Sequence, residues 1–432
     1  MKKGRKINLK VPFITRLEGE GALELSSKGD QIENLHLKIF EPPRLFERFL
    51  QGKSHRDVAD LSARICGICP IAYQLTSILA MENLFGIDLP QHLIDLRKLL
   101  NLGEWLQSHS LHIHFLSMPD FYGFESALQM AGSHPELLKR GMQIQEAGNT
   151  LMRLLGGRSV HPVGLQVGGF SSLPEQVDWD NARRQINEAI PAATALLKWS
   201  VELELPDFSH EFVSVSLVED NTYPINGGDI VSSSGLKVDS DQYAEHFKEH
   251  QVRHSTAYYS LLDGKDYMVG PLARMNLNYA HLPANIRQIA EHMGLVFPSQ
   301  NMFCSIQARA LECLWALYEA QQLLQLQCPG GDANLPYTVK AGICSFTTEA
   351  PRGLIYHRYK IDIDGNIKDC CIIPPTSQNQ ARIEQDLRYS VMQFGLHKPD
   401  AELKQFCEQV IRNYDPCISC STHFLDFTIN RH

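Results

Sequence analysis

Residues 63–74 read ARICGICPIAYQ, which places Cys66 and Cys69 two residues apart, directly before a proline and an apolar run. A CxxC pair can hold zinc, shuttle a disulfide, anchor an iron-sulfur cluster or ligate another soft metal, and each choice implies a different fold. Near the other end, residues 415–423 read DPCISCSTH, a second pair at Cys417 and Cys420. Small zinc modules keep their pairs within a few tens of residues, because the metal organises a local fold. Pairs at opposite ends of a chain can share one site only if the complete fold brings those ends together. A thioredoxin-like pair needs no second pair, and no βαβ unit is placed to carry one. On spacing alone, a four-cysteine iron-sulfur cluster, zinc, nickel and iron all stay open.

The 432-residue chain is 44% hydrophobic and 21% charged, an ordinary globular composition with length enough for a large core. Net charge is -9, and no basic cluster follows the opening MKKGRK, which argues against a nucleic-acid partner. The N-terminus lacks the apolar stretch of about 7–15 residues that a secretory signal needs, and no run approaches the roughly 18 apolar residues of a membrane span. A cytoplasmic protein is expected, with the reservation that a subunit can be exported on a partner's signal. Eleven cysteines, an odd number scattered through the chain, argue against a disulfide framework. Cys304, Cys313 and Cys407 sit in helix-like apolar patterns and read as small core residues.

The fold class predicted is α+β: a mainly helical large domain with long core helices, an N-terminal β-hairpin region, and smaller β elements that bring the two CxxC motifs together. Residues 1–60 are β-rich, with polar and apolar residues alternating on both sides of the Lys28-Gly29-Asp30 turn. Residues 61–413 form a mainly helical body with β insertions near 212–270 and 354–373, the second a hairpin turning at Asp364-Gly365. Helices are expected over about 75–155 with breaks, 179–205, 284–294, 303–326 and 380–413. Residues 414–423 form the C-terminal motif, and the whole of 1–432 reads as one large domain.

Beyond the two cysteine pairs, the chain contains RLEGEG at 16–21, PPRLFE at 42–47, SHSLH at 108–112, TTEAPRG at 347–353 and PPTSQN at 374–379. Together and in this order these segments resemble the large, catalytic subunit of nickel-iron hydrogenases. Length and motif wording look most like the compact cytoplasmic subgroup of sulfhydrogenases and NAD(P)-linked enzymes. The resemblance implies reversible heterolytic cleavage of H2 at a nickel-iron centre, with Cys66, Cys69, Cys417 and Cys420 as nickel ligands and Cys69 and Cys420 also bridging to iron. It further implies carbon monoxide and cyanide on the iron, which no side-chain inventory reveals. Ala350, Pro351 and Arg352, with Pro375 and Thr376, match the segments that meet those ligands. The permanently charged Arg352 fork is suited to electrostatic stabilisation there. Glu18 matches the family's proton-relay glutamate and would receive a proton from Cys417, whereas Glu20 reads as a solvated strand-edge carboxylate.

By the same resemblance Glu47, the carbonyl of Ile372 and His423 would ligate a structural magnesium. Tyr73, Ser108, His109, His112 and Asp415 are expected to surround the metal ligands, packing and hydrogen-bonding rather than ligating. His109 and His112 share a helix face by their spacing of three, and His114 turns away from it. Two positions depart from the family pattern. Tyr73 stands where many members have a histidine, and Ser108 where many have an aspartate that contacts the active-site arginine. A phenol can still donate to sulfur but is not protonated as imidazole is near neutral pH, which predicts altered redox or oxygen behaviour.

The resemblance also implies partners: an iron-sulfur small subunit, diaphorase-type electron-transfer subunits, nickel-insertion factors, and a maturation endopeptidase that removes residues 424–432. The chain itself shows no convincing cluster pattern among its other cysteines, no Rossmann fingerprint and no P-loop. Alternatives are an H2-sensing regulatory subunit with the same site, a related respiratory-complex subunit, which would lack the nickel cysteines, and a zinc-stabilised protein.

Overall fold

Alternation of apolar and polar residues builds the first element, a three-stranded antiparallel sheet seen in the computed structural model, which describes residues 6–422. Strand Gly21–Lys28 pairs with Lys6–Val11 on one side and with Gln31–Ile39 on the other. Leu23, Leu25, Leu35, Leu37 and Ile39 face the interior, as a period of two requires. The strand Lys6–Val11 adds one element to the expected hairpin.

The body is helical. Pro70–Phe85, Gln91–Leu111, Pro135–Gly156, Gln176–Val201 and Ser305–Gln325 pack around Trp105 and Trp315, whose rings lie 5.7 Å apart between centroids. Pro70–Phe85 is apolar on nearly every face and is correspondingly buried all round. Among the described residues no helix is long and apolar enough to cross a membrane.

The insertion at 212–270 contains the short strands Val215–Val218, Asp229–Ser232, Lys237–Val238, Phe247–Gln251 and Tyr258–Leu262. The expected hairpin at 354–373 is part of a three-stranded sheet of Gly342–Ala350, Gly353–Ile361 and Ile367–Ile373. The single helix expected over 380–413 is instead two, Pro375–Phe394 and Asp400–Asn413. The break falls at Gly395, with φ of 104°, a backbone state that helix cannot continue through, and Pro399 precedes the second start. The α+β class, mainly helical with small antiparallel sheets, is the one observed. His423 and the tail 424–432 lie outside the described residues.

The chain ends meet through backbone. Glu18 and Cys417 form a parallel bridge, and the Ile418 N–H donates to the Glu18 carbonyl at 3.0 Å. Arg44 crosses between the two cysteine loops, donating from Nη2 to the carbonyls of Ile65 and Ser419, both at 2.5 Å.

Candidate metal centre

Two tight turns carry the sulfurs. Cys66 and Cys69 lie between helices His55–Ala63 and Pro70–Phe85, while Cys417 and Cys420 flank the start of the short helix Ile418–Ser421. All four are 2% exposed or less. Cys66 Sγ accepts the N–H of Cys69 at 3.2 Å and of Ile68 at 3.4 Å, so the loop backbone is already wrapped around an electron-rich sulfur. Cys66 Sγ lies 2.8 Å from Cys69 Sγ and 3.6 Å from Cys417 Sγ. The sulfurs of Cys66, Cys69 and Cys420 are all within 4.8 Å of one another.

Four buried sulfurs this close cannot all be thiolates unless a cation balances them. Burial, reinforced by the neighbouring sulfurs, pushes the Cys417 thiol well up. Burial also acts on Cys66, but hydrogen bonds from Cys417, Cys420 and Cys69 outweigh it and hold that thiol well below its usual value. One sulfur therefore takes the charge while others keep protons that a soft metal would displace.

Arg352 sits beside this pocket on a corner built to hold it. Its Nε donates to the Asp415 carbonyl at 2.7 Å and its Nη2 to Asp415 Oδ1 at 3.0 Å. Burial works against the guanidinium charge, and Asp415 with the cysteine sulfurs more than restores it. Arg352 Nη1 and Asp415 Oδ2 are buried without a protein partner, polar atoms left over for something the protein itself does not supply. Asp415, two residues before Cys417, supplies the carboxylate that Ser108 lacks; the Ser108 hydroxyl is itself buried and unpartnered.

Glycine makes the corner possible. Gly270, at φ of 110°, lies so close to the Arg352 carbonyl that a Cβ there would stand 2.7 Å from its oxygen. Arg274 fixes the preceding residues, donating from Nη1 to the Ala350 carbonyl and from Nη2 to the Pro351 carbonyl, each at 2.9 Å. The same guanidinium grips Glu312 through Nε and Nη2 and Glu349 through Nη1, with all three side chains fully buried. Burial opposes the Glu312 charge, but the Arg274 fork overcomes it and holds that carboxyl at about 2; burial lifts Glu349 to about 7. Arg274→Met would leave Glu312 an uncompensated buried charge. We expect a loss of about 3–5 kcal/mol, seen as a clearly lower thermal midpoint of the purified protein.

The PPTSQN segment is used residue by residue. Thr376 Oγ1 accepts the Cys417 N–H at 2.9 Å, Gln378 Nε2 donates to the Leu354 carbonyl at 2.5 Å, and Asn379 forms two bonds with the Val269 backbone beside Gly270. Pro375 opens the helix that carries them. On the other side of the pocket, the Cys417 thiol donates to Glu18 Oε2 at 3.1 Å, and Ser419 holds the same carboxylate through its N–H and its hydroxyl. Glu20 is exposed, and its backbone N–H donates to Glu41.

Tyr73 is fully buried among the cysteines, its ring centroid 5.6 Å from that of His357 and its hydroxyl unpartnered by protein. Burial, then the nearby sulfurs, pushes the phenol well up, so it stays a neutral donor. The histidine group splits. His109 Nε2 lies 2.8 Å from Glu312 Oε2, whereas His112 Nε2 lies 2.7 Å from the Arg412 carbonyl oxygen. His114 packs elsewhere, between Ser110 and Arg140. Glu47 Oε1 accepts the Ile372 N–H at 2.7 Å, bringing those two together.

Sequence reasoning missed Arg44, Glu104, Arg274, Glu312 and Glu349. Glu104 accepts the N–H groups of Ile71 at 2.5 Å and Ala72 at 3.1 Å, capping the helix that leaves Cys69. Burial drives its carboxyl well up, against those two bonds. Its signal was an acid in the apolar stripe of Leu93, Leu96, Leu100 and Glu104, a face that should contain none.

Four buried cysteine sulfurs, an orphaned guanidinium nitrogen and a carboxylate touching one thiol form a donor set suited to a soft metal. The family model for nickel-dependent hydrogenase matches residues 44–142 and 233–423, and the chain belongs to that family. It is 30% identical to sulfhydrogenase 1 subunit alpha of Pyrococcus furiosus over 421 residues, 96% of this chain and 97% of that one. To sulfhydrogenase 2 subunit alpha of the same organism it is 31% identical over 419 residues, 96% and 99% of the two chains. An NAD+-reducing NiFe-hydrogenase in its H2-reduced state superposes with a TM-score of 0.89 at 25% identity, covering 98% of this chain and all of that one. The NiFeSe-hydrogenase of Dm. baculatum shares the fold, with a TM-score of 0.76 at 20% identity over 97% of this chain and all of that one. The chain is accordingly the catalytic large subunit of a nickel-iron hydrogenase, an oxidoreductase.

Proposed function

We propose that Cys66, Cys69, Cys417 and Cys420 hold the nickel, with Cys69 and Cys420 also reaching the iron, and that Cys417 and Glu18 carry the proton. When bound, the nickel-iron pair supplies the heterolytic cleavage of H2. Cys417 Sγ receives the released proton and hands it to Glu18 Oε2, 3.1 Å away, and this contact is the observation that carries the reading. Ser419 keeps the carboxylate aimed at the sulfur. Arg352, with Ala350, Pro351, Pro375 and Thr376 around it, would offer fixed positive charge and backbone to an iron carrying carbon monoxide and cyanide. Its unpartnered Nη1 supports that role. Tyr73, Ser108, His109, His112 and Asp415 pack, orient and hydrogen-bond around these groups.

A hard cation, magnesium, completes the same reading at Glu47, the Ile372 carbonyl and His423. Glu249 supports it: burial and then the charge of Glu47 drive its carboxyl well up, and its Oε1 is buried without a partner, so a cation here would relieve two acids at once. Electrons leave to an iron-sulfur small subunit and, through diaphorase-type subunits, to NAD(P) or another soluble acceptor in the cytoplasm. The name of the NAD+-reducing neighbour supports this route. The whole of 1–432 acts as one catalytic domain.

Exchange between H2 and D2O tests the reading without any electron acceptor. The purified complex should form HD and D2 catalytically; a metal-loaded enzyme that forms neither would refute the proposal.

A further inference from the structure

Away from the cysteines, three segments distant in sequence converge on the face of the N-terminal sheet opposite Leu35 and Leu37. His36 comes from strand Gln31–Ile39, His254 from the loop after strand Phe247–Gln251, and Glu384 from helix Pro375–Phe394. One ligand atom of each lies within 4.8 Å of the other two. The two imidazole rings face each other with centroids 4.1 Å apart and planes tilted by 31°, and His254 Nε2 is 2.9 Å from Glu384 Oε1.

The carboxylate is fixed in place: Oε1 accepts the Leu37 N–H at 2.9 Å and the Tyr259 hydroxyl at 3.1 Å. Those bonds, with His254, already satisfy Glu384, yet a second imidazole is stacked against the first and its Nδ1 is buried with no partner. A hydrogen-bond network needs neither the second ring nor the orphaned nitrogen. Two imidazoles and a carboxylate are instead a common donor set for zinc, whose bonds run about 2.0–2.2 Å.

We propose that His36, His254 and Glu384 bind a borderline divalent cation of the zinc class, with water completing a tetrahedral shell, at a site separate from the four-cysteine centre. The ion would clamp three segments that serve the catalytic pocket. The sheet flanks the turn bearing Glu18, and the helix that carries Glu384 has in its first turn Thr376, which holds the Cys417 N–H. Its role is that of a staple on the scaffold, and it takes no part in turnover.

The test uses the assembled enzyme, stripped with chelator, desalted and titrated with Zn2+ by equilibrium dialysis, with nickel counted in the same samples. Wild type should take up zinc that His36→Asn and Glu384→Gln bind at least about tenfold more weakly, and zinc should raise the thermal midpoint of wild type alone. Nickel content equal to wild type in both variants shows that they are folded; Glu384→Gln also keeps an oxygen for the Leu37 N–H. Equal zinc affinity in all three proteins, or a zinc-induced rise in midpoint shared by both variants, would overturn the proposal.

Discussion

A Cys417→Ser chain, produced with its partner subunits, is expected to fold yet carry no stoichiometric nickel, and its H2-dependent dye reduction should fall to background. Serine is close in size, and the backbone N–H at 417 keeps its bond to Thr376 Oγ1, so the loop has no reason to unravel. What changes is the donor: a hard hydroxyl stands where a soft thiolate would face Cys66 Sγ at 3.6 Å. Nickel counting by mass spectrometry and circular dichroism of the same sample separate loss of metal from loss of fold.

Glu18→Gln should behave differently: nickel is retained, while H2 oxidation and the H2/D2O exchange both drop by about 10²- to 10⁴-fold, the usual contribution of a positioned proton acceptor. Glutamine still accepts the Ser419 N–H that now reaches Glu18 Oε2 at 3.1 Å, but it cannot take a proton from the Cys417 thiol. Glu20→Gln is the control. That side chain is exposed, and activity within about twofold of wild type is expected, read in the same dye assay.

The parts legible in the sequence were those written in short, spaced motifs or in strict periodicity. The alternation across 21–39 showed the hairpin, and the two CxxC pairs, with the surrounding motifs, marked the four cysteines whose sulfurs the fold brings together. The structure adds why the ends meet, since the parallel bridge between Glu18 and Cys417 and the Arg44 contacts to Ile65 and Ser419 are tertiary facts with no local pattern. Arg274, Glu312 and Glu349 were invisible for a related reason. A lone charge in a helix or strand reads as a solvated face, and only the assembled core shows Arg274 holding both acids together with the carbonyls before Arg352. Ser108 looked like a loss of the partner of Arg352, yet Asp415 takes that place from the far end of the chain. The helix break at Gly395 was written in the sequence as a glycine followed by Pro399, and apolar periodicity continuing on both sides concealed it.

Nickel K-edge X-ray absorption on the purified complex reads the metal and its donor atoms together. Stoichiometric nickel is expected, in a shell dominated by sulfur supplied by Cys66, Cys69, Cys417 and Cys420. Zinc in place of nickel, or nickel surrounded only by nitrogen and oxygen, would contradict that expectation.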